Sequence, residues 1–293
     1  MINVCHIIPT DYLNHLKYLS KRQFHLVLAH QVLKDKKYVK YYKNIKNAFI
    51  IMDNSAYELG EALDDNILLR VIKIMSPDEF VIPDVLYDMK KSIERYEKFM
   101  KIFKPIKNMS LMAVPQGKTL KEWTKCYCYF KDKPEINTLG IGQIYSSTTV
   151  FGNKIPSKFI TGREYIIDHL IKNNLINKKK PHHLLGTSIV STLNELRRLK
   201  KYSWIRSVDT AYAYLFTTKK HLFTKRAFIP LPTHINQLKQ NIIHVRWKDV
   251  FDNIILHKYR TRFRYILNFY EKYDSKYKKE LLSNIMHLNK ASL

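Results

Sequence analysis

Cysteine is scarce in this chain, with three in 293 residues. Three cannot build the disulfide framework of a secreted protein of this size, so a reducing, cytoplasmic location is expected. Glycine is scarcer than usual at seven, which makes each position informative. No uninterrupted apolar run reaches membrane-spanning length, and Met1–Thr10 lacks the basic start and cleavage site of a signal peptide. No membrane partner is therefore expected. Acidic residues are outnumbered, 25 against 51 Lys and Arg, for a net charge of +26. An excess of that size points to a polyanionic partner without saying which.

What is present is enough to fold. Hydrophobic residues make up 45 % and aromatics 13 %, so a large core is available and disorder is disfavoured. The positive charge is denser in the tail: residues 210–293 hold 16 Lys and Arg against 5 Asp and Glu. Lys219, Lys220, Lys225 and Arg226 form the first cluster there. They are candidates for phosphate contact, with a solvated face as the alternative.

Short apolar runs recur at Ile2–Ile8, Phe24–Ala29, Ala48–Met52, Glu79–Ile82, Met109–Val114, Thr138–Ile141, His183–Leu185 and Trp204–Val208. Amphipathic stretches lie between them, among them Leu63–Met75, Ser92–Phe103, Leu120–Phe130, Tyr165–Asn173 and Thr192–Lys201. Strands alternating with helices imply parallel pairing. Eight of them fit an α/β (β/α)₈ TIM barrel over residues 1–215. Beyond it, residues 216–293 read as a basic, mostly helical C-terminal extension, entered through the Pro-containing connector Ala227–Thr233.

Polar residues gather where these strands end. Asp53 follows the third, Asp84 the fourth, Gln116-Gly117 the fifth, Gly140 and Gly142 mark the sixth, Gly186 the seventh and Asp209 the eighth. In a barrel such positions converge on one mouth. A single Asp there can equally be a helix N-cap; three behind three apolar strands favour a site. A carboxylate can attack a sugar anomeric carbon, a second can carry protons, and a third can accept the N–H edge of a guanine. Such a set fits glycosyl transfer on a nucleobase better than metal-dependent hydrolysis.

These residues resemble the tRNA-guanine transglycosylase superfamily. The likeness runs through Asp53-Asn54-Ser55-Ala56-Tyr57, Ile82-Pro83-Asp84, Val114-Pro115-Gln116-Gly117, Leu139-Gly140-Ile141-Gly142, His183-Leu184-Leu185-Gly186 and Asp209. The family's zinc cysteines are missing: the last cysteine is Cys128, and Cys126-Tyr127-Cys128 precedes the sixth strand. A short, basic, zinc-less member is most similar to the DNA 7-deazaguanine transglycosylases of bacteriophages and bacterial DNA-modification islands. The resemblance implies a DNA-guanine transglycosylase that exchanges guanine for a 7-deazaguanine such as 7-cyano-7-deazaguanine, in DNA modification and restriction evasion.

On that resemblance Asp209 is the nucleophile, forming a covalent aspartyl-deoxyribosyl intermediate, and Asp53 moves the proton. Asp84, Gln116, Gly117, Gly140, Gly142, Gly186 and Tyr57 bind the base. The partners are DNA with a flipped-out or single-stranded guanine and the free 7-deazaguanine base, and the location is the host cytoplasm if the chain is viral. No metal and no cofactor is expected. His182 and His183 read as structural. The alternatives are an RNA-directed enzyme of the same superfamily and a non-catalytic nucleic-acid-binding barrel.

Overall fold

A computed structural model describes residues 2–7, 10, 13, 23–186, 195–211, 221–223 and 228–230. The strands are β1 Asn3–His6, β2 Gln23–Leu28, β3 Ala48–Asp53, β4 Glu79–Val81, β5 Ser110–Ala113, β6 Thr138–Ile141, β7 Thr149–Val150, β8 Asn153–Lys154, β9 His182–Leu184, β10 Ile205–Thr210, β11 His221–Phe223 and β12 Phe228–Pro230. The helices are α1 Ala29–Lys34, α2 Lys36–Asn44, α3 Ala56–Leu59, α4 Asp65–Met75, α5 Met89–Ile102, α6 Leu120–Lys131 and α7 Gly162–Lys172. Residues 195–199 are helical as well.

Eight of the strands close into a barrel in the order β1-β10-β9-β6-β5-β4-β3-β2, with β2 returning to β1. Every pair in the ring is parallel. The expected α/β barrel is therefore present, and each of the eight expected runs contains its strand to within two residues at either end. Strands in such a barrel are buried on both faces, so they read as continuous apolar runs rather than alternating ones. Two pairs stand outside the ring, the hairpin of β7 and β8 and the ribbon of β11 and β12. Phe228–Pro230 lies in the expected connector and pairs with β11 instead.

Alternation along each strand separates an inner from an outer layer. Cys5, Leu26, Leu28, Ile51, Val81, Met112 and Val114 pack together inside the barrel. Val27, Ile50, Met52, Phe80 and Leu111 belong to the larger cluster between barrel and helices, with Trp123, Tyr127 and Phe130 of α6. Asp53 stands two residues beyond inward Ile51, and Gln116 two beyond inward Val114. Parity thus aims both into the mouth.

The helices α1 and α2 fall where no amphipathic stretch is expected from the sequence. The buried face of α2 is made by Tyr38 and Tyr42, whose rings meet edge-on at 4.8 Å. Among Lys and Tyr residues that stripe lacks the aliphatic periodicity that marks the other helices. Asp35 starts α2 by accepting from the N–H groups of Lys37 (2.8 Å) and Tyr38 (3.1 Å). Asp64, Asp88, Thr119 and Thr161 cap α4, α5, α6 and α7 in the same way.

Candidate active site at the barrel mouth

The capping residues settle what the strand-end aspartates are not. Asp53, Asp84 and Asp209 are the N-cap of none of the described helices α1–α7. A cavity of about 900 Å³ opens at the mouth, lined by all three with Glu58, Gln116 and Gly142 among others. Its floor is the apolar interior of the barrel, including Leu26, Leu28, Val81 and Val114.

Asp53 ends β3, and its Oδ2 accepts from the N–H of Ser55 at 2.7 Å. Ser55 adopts the left-handed conformation (φ 68°), uncommon outside glycine and asparagine. Its hydroxyl sits 2.9 Å from Nδ1 of buried His30 and accepts from the His30 N–H at 3.2 Å, which holds the turn. Asn54, between them, donates to the Ile82 carbonyl and to Oδ1 of Asp84, both at 2.8 Å. Its own Oδ1 accepts from the Ala56 N–H at 2.8 Å.

Asp84 receives its second donor, Gln116 Nε2, on Oδ2 at 2.5 Å. Gln116 is oriented from its other end. Its Oε1 accepts from the Tyr87 N–H (3.0 Å) and from the Tyr145 hydroxyl (2.9 Å). The three side chains Asn54, Asp84 and Gln116 form one buried chain linking β3, β4 and β5, each with its polar atoms paired.

Asp209, on β10, is held from a different direction. Its Oδ1 accepts from the Gly186 N–H at 2.8 Å and meets His183 Nε2 at 2.9 Å. Ser207 Oγ accepts from Arg206 Nε (3.2 Å) and stands 2.8 Å from His183 Nδ1, towards which it can donate or accept. On the other side of the ring a carboxylate oxygen can only accept, so Nε2–H donates to Asp209. His183 is therefore a partner of the site, while neighbouring His182 points the other way, to the Tyr127 hydroxyl at 3.0 Å. Burial lowers the His182 ring to about 4, so it stays neutral.

Electrostatics divide the carboxylates. Burial pushes the Asp53 carboxyl well above the usual carboxylate range; Glu58, Asp84 and Asp209 add to the rise, and the Ser55 N–H opposes it. Asp84 is also raised by burial, against the hydrogen bonds from Asn54 and Gln116. Burial thus favours the protonated form of Asp53, next to Asp84, whose two oxygens are each tied to a donor.

The glycines separate into two groups. Gly142 and Gly186 line the cavity. Gly186 has φ +61°, and a Cβ there would stand 2.4 Å from Gln143 Oε1. Gly117 and Gly140 instead serve packing: a Cβ on Gly117 would lie 2.4 Å from the Trp123 backbone nitrogen, and one on Gly140 2.4 Å from Leu185 Cδ1. Tyr57 lines the cavity from the rim and is 57 % exposed. Lys219, Lys220, Lys225 and Arg226 lie outside the described residues, as does most of the expected helical extension.

Asn54, Tyr145 and His183 are members of this network that sequence reasoning left out. Asn54 stood between two flagged residues, and that adjacency was its signal. Tyr145 gave none, and His183 was read as structural together with His182; which of the two rings meets Asp209 is set by strand pairing. Among the described residues no group of three or more His, Cys, Asp or Glu is arranged to hold a metal ion. Cys126 is buried and accepts from the Gln116 N–H at 3.3 Å.

No family model matches the chain, and no curated protein matches it. Solved structures do. Protein CitE from Mycobacterium tuberculosis, in complex with magnesium and acetate, has a TM-score of 0.43 and 7 % identity over 71 % of this chain and 85 % of its own. The citrate lyase beta subunit of the same organism has the same score and identity, covering 71 % and 91 %. The CitE complex with magnesium, acetoacetate and coenzyme A has a TM-score of 0.40 at 7 % identity, covering 79 % and 93 %. At such values the likeness is one of fold.

The expected transglycosylase membership is corrected by these comparisons, since the matching structures named above are CitE-type barrels and no transglycosylase family model matches. Guanine exchange, DNA and a free 7-deazaguanine base as partners, and a role in DNA modification go with it; the RNA-directed and non-catalytic nucleic-acid-binding alternatives are no better supported. The physical reason is that the quoted motifs are short and all sit at strand ends. Aspartate, glutamine and glycine collect at the mouth of parallel barrels generally, and their order along the chain follows the order of the strands. Ala56 also stands where the superfamily has glycine, and the two glycines read as base-binding at 117 and 140 are spent on packing.

Proposed function

We propose that this chain is an enzyme working by carboxylate acid–base catalysis on a small molecule held in the barrel mouth. The observation that carries the reading is the pairing of unlike carboxylates over one cavity. Asp53 is buried and pushed up, and Asp209 is fixed by a peptide N–H and the His183 ring. Two acids whose surroundings differ in this way divide the roles of proton donor and anionic partner.

In this reading Asp53 delivers its proton to the departing atom of the substrate and is left as the carboxylate. Asp209 faces the centre on which positive charge develops and stabilises it electrostatically, and a water from the open mouth adds to that centre while returning a proton to Asp53. Asp84, locked by Asn54 and Gln116, accepts hydrogen bonds from the substrate through its remaining lone pairs, and Gln116, whose oxygen is taken up by Tyr87 and Tyr145, donates its second Nε2–H. Gly142 and Gly186 present backbone to it, and Tyr57 forms a wall. The cavity volume suits a small ligand, for which roughly 300–1,000 Å³ is usual. Lys34, Lys36 and Lys37 also line the cavity, so a substrate with an anionic end remote from its reacting, donor-rich end complements both.

Two measurements test this. Infrared spectra at pH 7 should show a protonated carboxylic acid in the wild type that is missing from Asp53→Asn; its absence from the wild type overturns the donor role. Small molecules that raise the melting temperature of the wild type are then incubated with it and their conversion followed. Conversion at the wild-type rate by Asp209→Asn overturns the role of Asp209.

A further inference from the structure

Arg163 is buried at the start of α7, and so is its partner Glu195: their side chains are 1 % and 0 % exposed. Glu195 takes Arg163 Nε on Oε1 at 3.0 Å and Nη2 on Oε2, and the Thr161 hydroxyl donates to the same Oε1 at 2.6 Å. A buried pair of this kind is a poor source of stability, because removing both ions from water costs much of what their attraction returns. What the guanidinium does with its remaining nitrogen is more informative. Nη1 donates to the carbonyls of Leu185 (3.0 Å) and Gly186 (2.6 Å).

The Leu185 carbonyl and the Gly186 N–H belong to one planar peptide unit. That N–H donates to Asp209 Oδ1. A single peptide therefore carries a guanidinium on its oxygen and the proposed catalytic carboxylate on its nitrogen. The arginine pulls electron density toward the carbonyl and makes the N–H a stronger donor, as hydrogen bonds in series polarise one another. It also fixes the direction of the N–H, in a loop whose left-handed glycine leaves the backbone with little preference of its own.

We infer that Arg163, held by Glu195, is a positioning residue that orients and polarises the Leu185–Gly186 peptide toward Asp209. Its catalytic meaning rests on the role proposed for Asp209, but its geometry does not, and the two can fail separately. Arg163 is not itself among the residues that line the cavity; it acts through the peptide it holds.

The test needs no substrate. The chain has seven glycines, and only Gly60, Gly140 and Gly186 follow a leucine. Labelling the full chain with ¹⁵N-glycine and ¹³C-carbonyl leucine selects those three amide signals, and the one displaced in Asp209→Asn is Gly186. In Arg163→Met its amide proton should move upfield by roughly a tenth or more of the distance to its position in Asp209→Asn. Asp209→Asn should also displace it less in the Arg163→Met background than in the wild type, the coupling a double-mutant cycle isolates. Arg163→Lys should give a smaller move in the same direction. The other six glycine signals report whether each variant is folded. An unmoved Gly186 signal in folded Arg163→Met overturns the inference. Should that variant lose all seven signals, an unmoved Gly186 in Arg163→Lys overturns it instead.

Discussion

A carboxyl group forced to keep its proton sets the pH behaviour of this molecule one residue at a time. Asp53 and Asp84 titrate higher in the folded protein than in the unfolded chain, because burial disfavours their charged forms. Between the unfolded value near 3.8 and the raised folded value, the folded state binds more protons. Stability from these groups is therefore complete below the unfolded value and is lost as pH rises through the folded one. Asp53→Asn removes the ionisable group and keeps its shape. It should flatten the fall in stability as pH rises above the unfolded value near 3.8, and raise the melting temperature on that side, as followed by thermal unfolding in a pH series. An unchanged pH profile would show that Asp53 ionises normally. A residue that costs stability where it stands is the pattern expected of a functional group.

Elements of the barrel are set against one another by close approaches that admit no side chain. The loop after β5 meets the N-terminus of α6 at Gly117, where an added Cβ would reach 2.4 Å from the Trp123 nitrogen. The obstacle is backbone, which cannot rotate away. Gly117→Ala should cost about 1–3 kcal/mol of stability, read from the midpoint of urea unfolding. Gly142→Ala is the contrast: its φ is −66° and the nearest atom to a Cβ is 3.7 Å away. It should stay within about 0.5 kcal/mol of wild type while narrowing the cavity. The same contrast explains what was legible among the glycines. Their position at strand ends is visible in the sequence, but whether one faces a neighbouring helix or the cavity depends on the packing of α6 and the loop after β6.

At the scale of the whole molecule, barrel closure brings together residues far apart in the chain. Glu79 of β4 is fully buried and takes Arg206 of β10 on both oxygens, at 2.7 and 2.8 Å, with Thr138 of β6 at 2.7 Å. The guanidinium also lies over the Phe49 ring of β3, 5.2 Å from its centroid. This polar plug ties four strands from inside. Glu79→Ala leaves a largely buried guanidinium without its partner and should cost about 3–5 kcal/mol, measured by urea unfolding. A loss under about 1 kcal/mol would show that water replaces the carboxylate there. Among the described residues, no helix is long and apolar enough to cross a membrane.

The amino-acid sequence by itself determined the eight strands, five of the helical stretches and the set of strand-end aspartates. Each of these is a local pattern: an apolar run, a helical period, a polar residue directly behind a strand. Only the tertiary structure decided which aspartates meet at the mouth. Asp35, Asp64 and Asp88 bond N–H groups two or three residues on. Asp53 does the same with Ser55, and is told from them by its burial in the cavity lining. Asp84 and Asp209 bond groups 23 to 32 residues away. Those longer partnerships depend on which strands pair and in what register, and no short motif encodes them. The same limit explains the transglycosylase resemblance, which rested on strand-end motifs alone. Arg163 and Glu195, without any motif, reach the site because a closed barrel places α7 against the loop after β9.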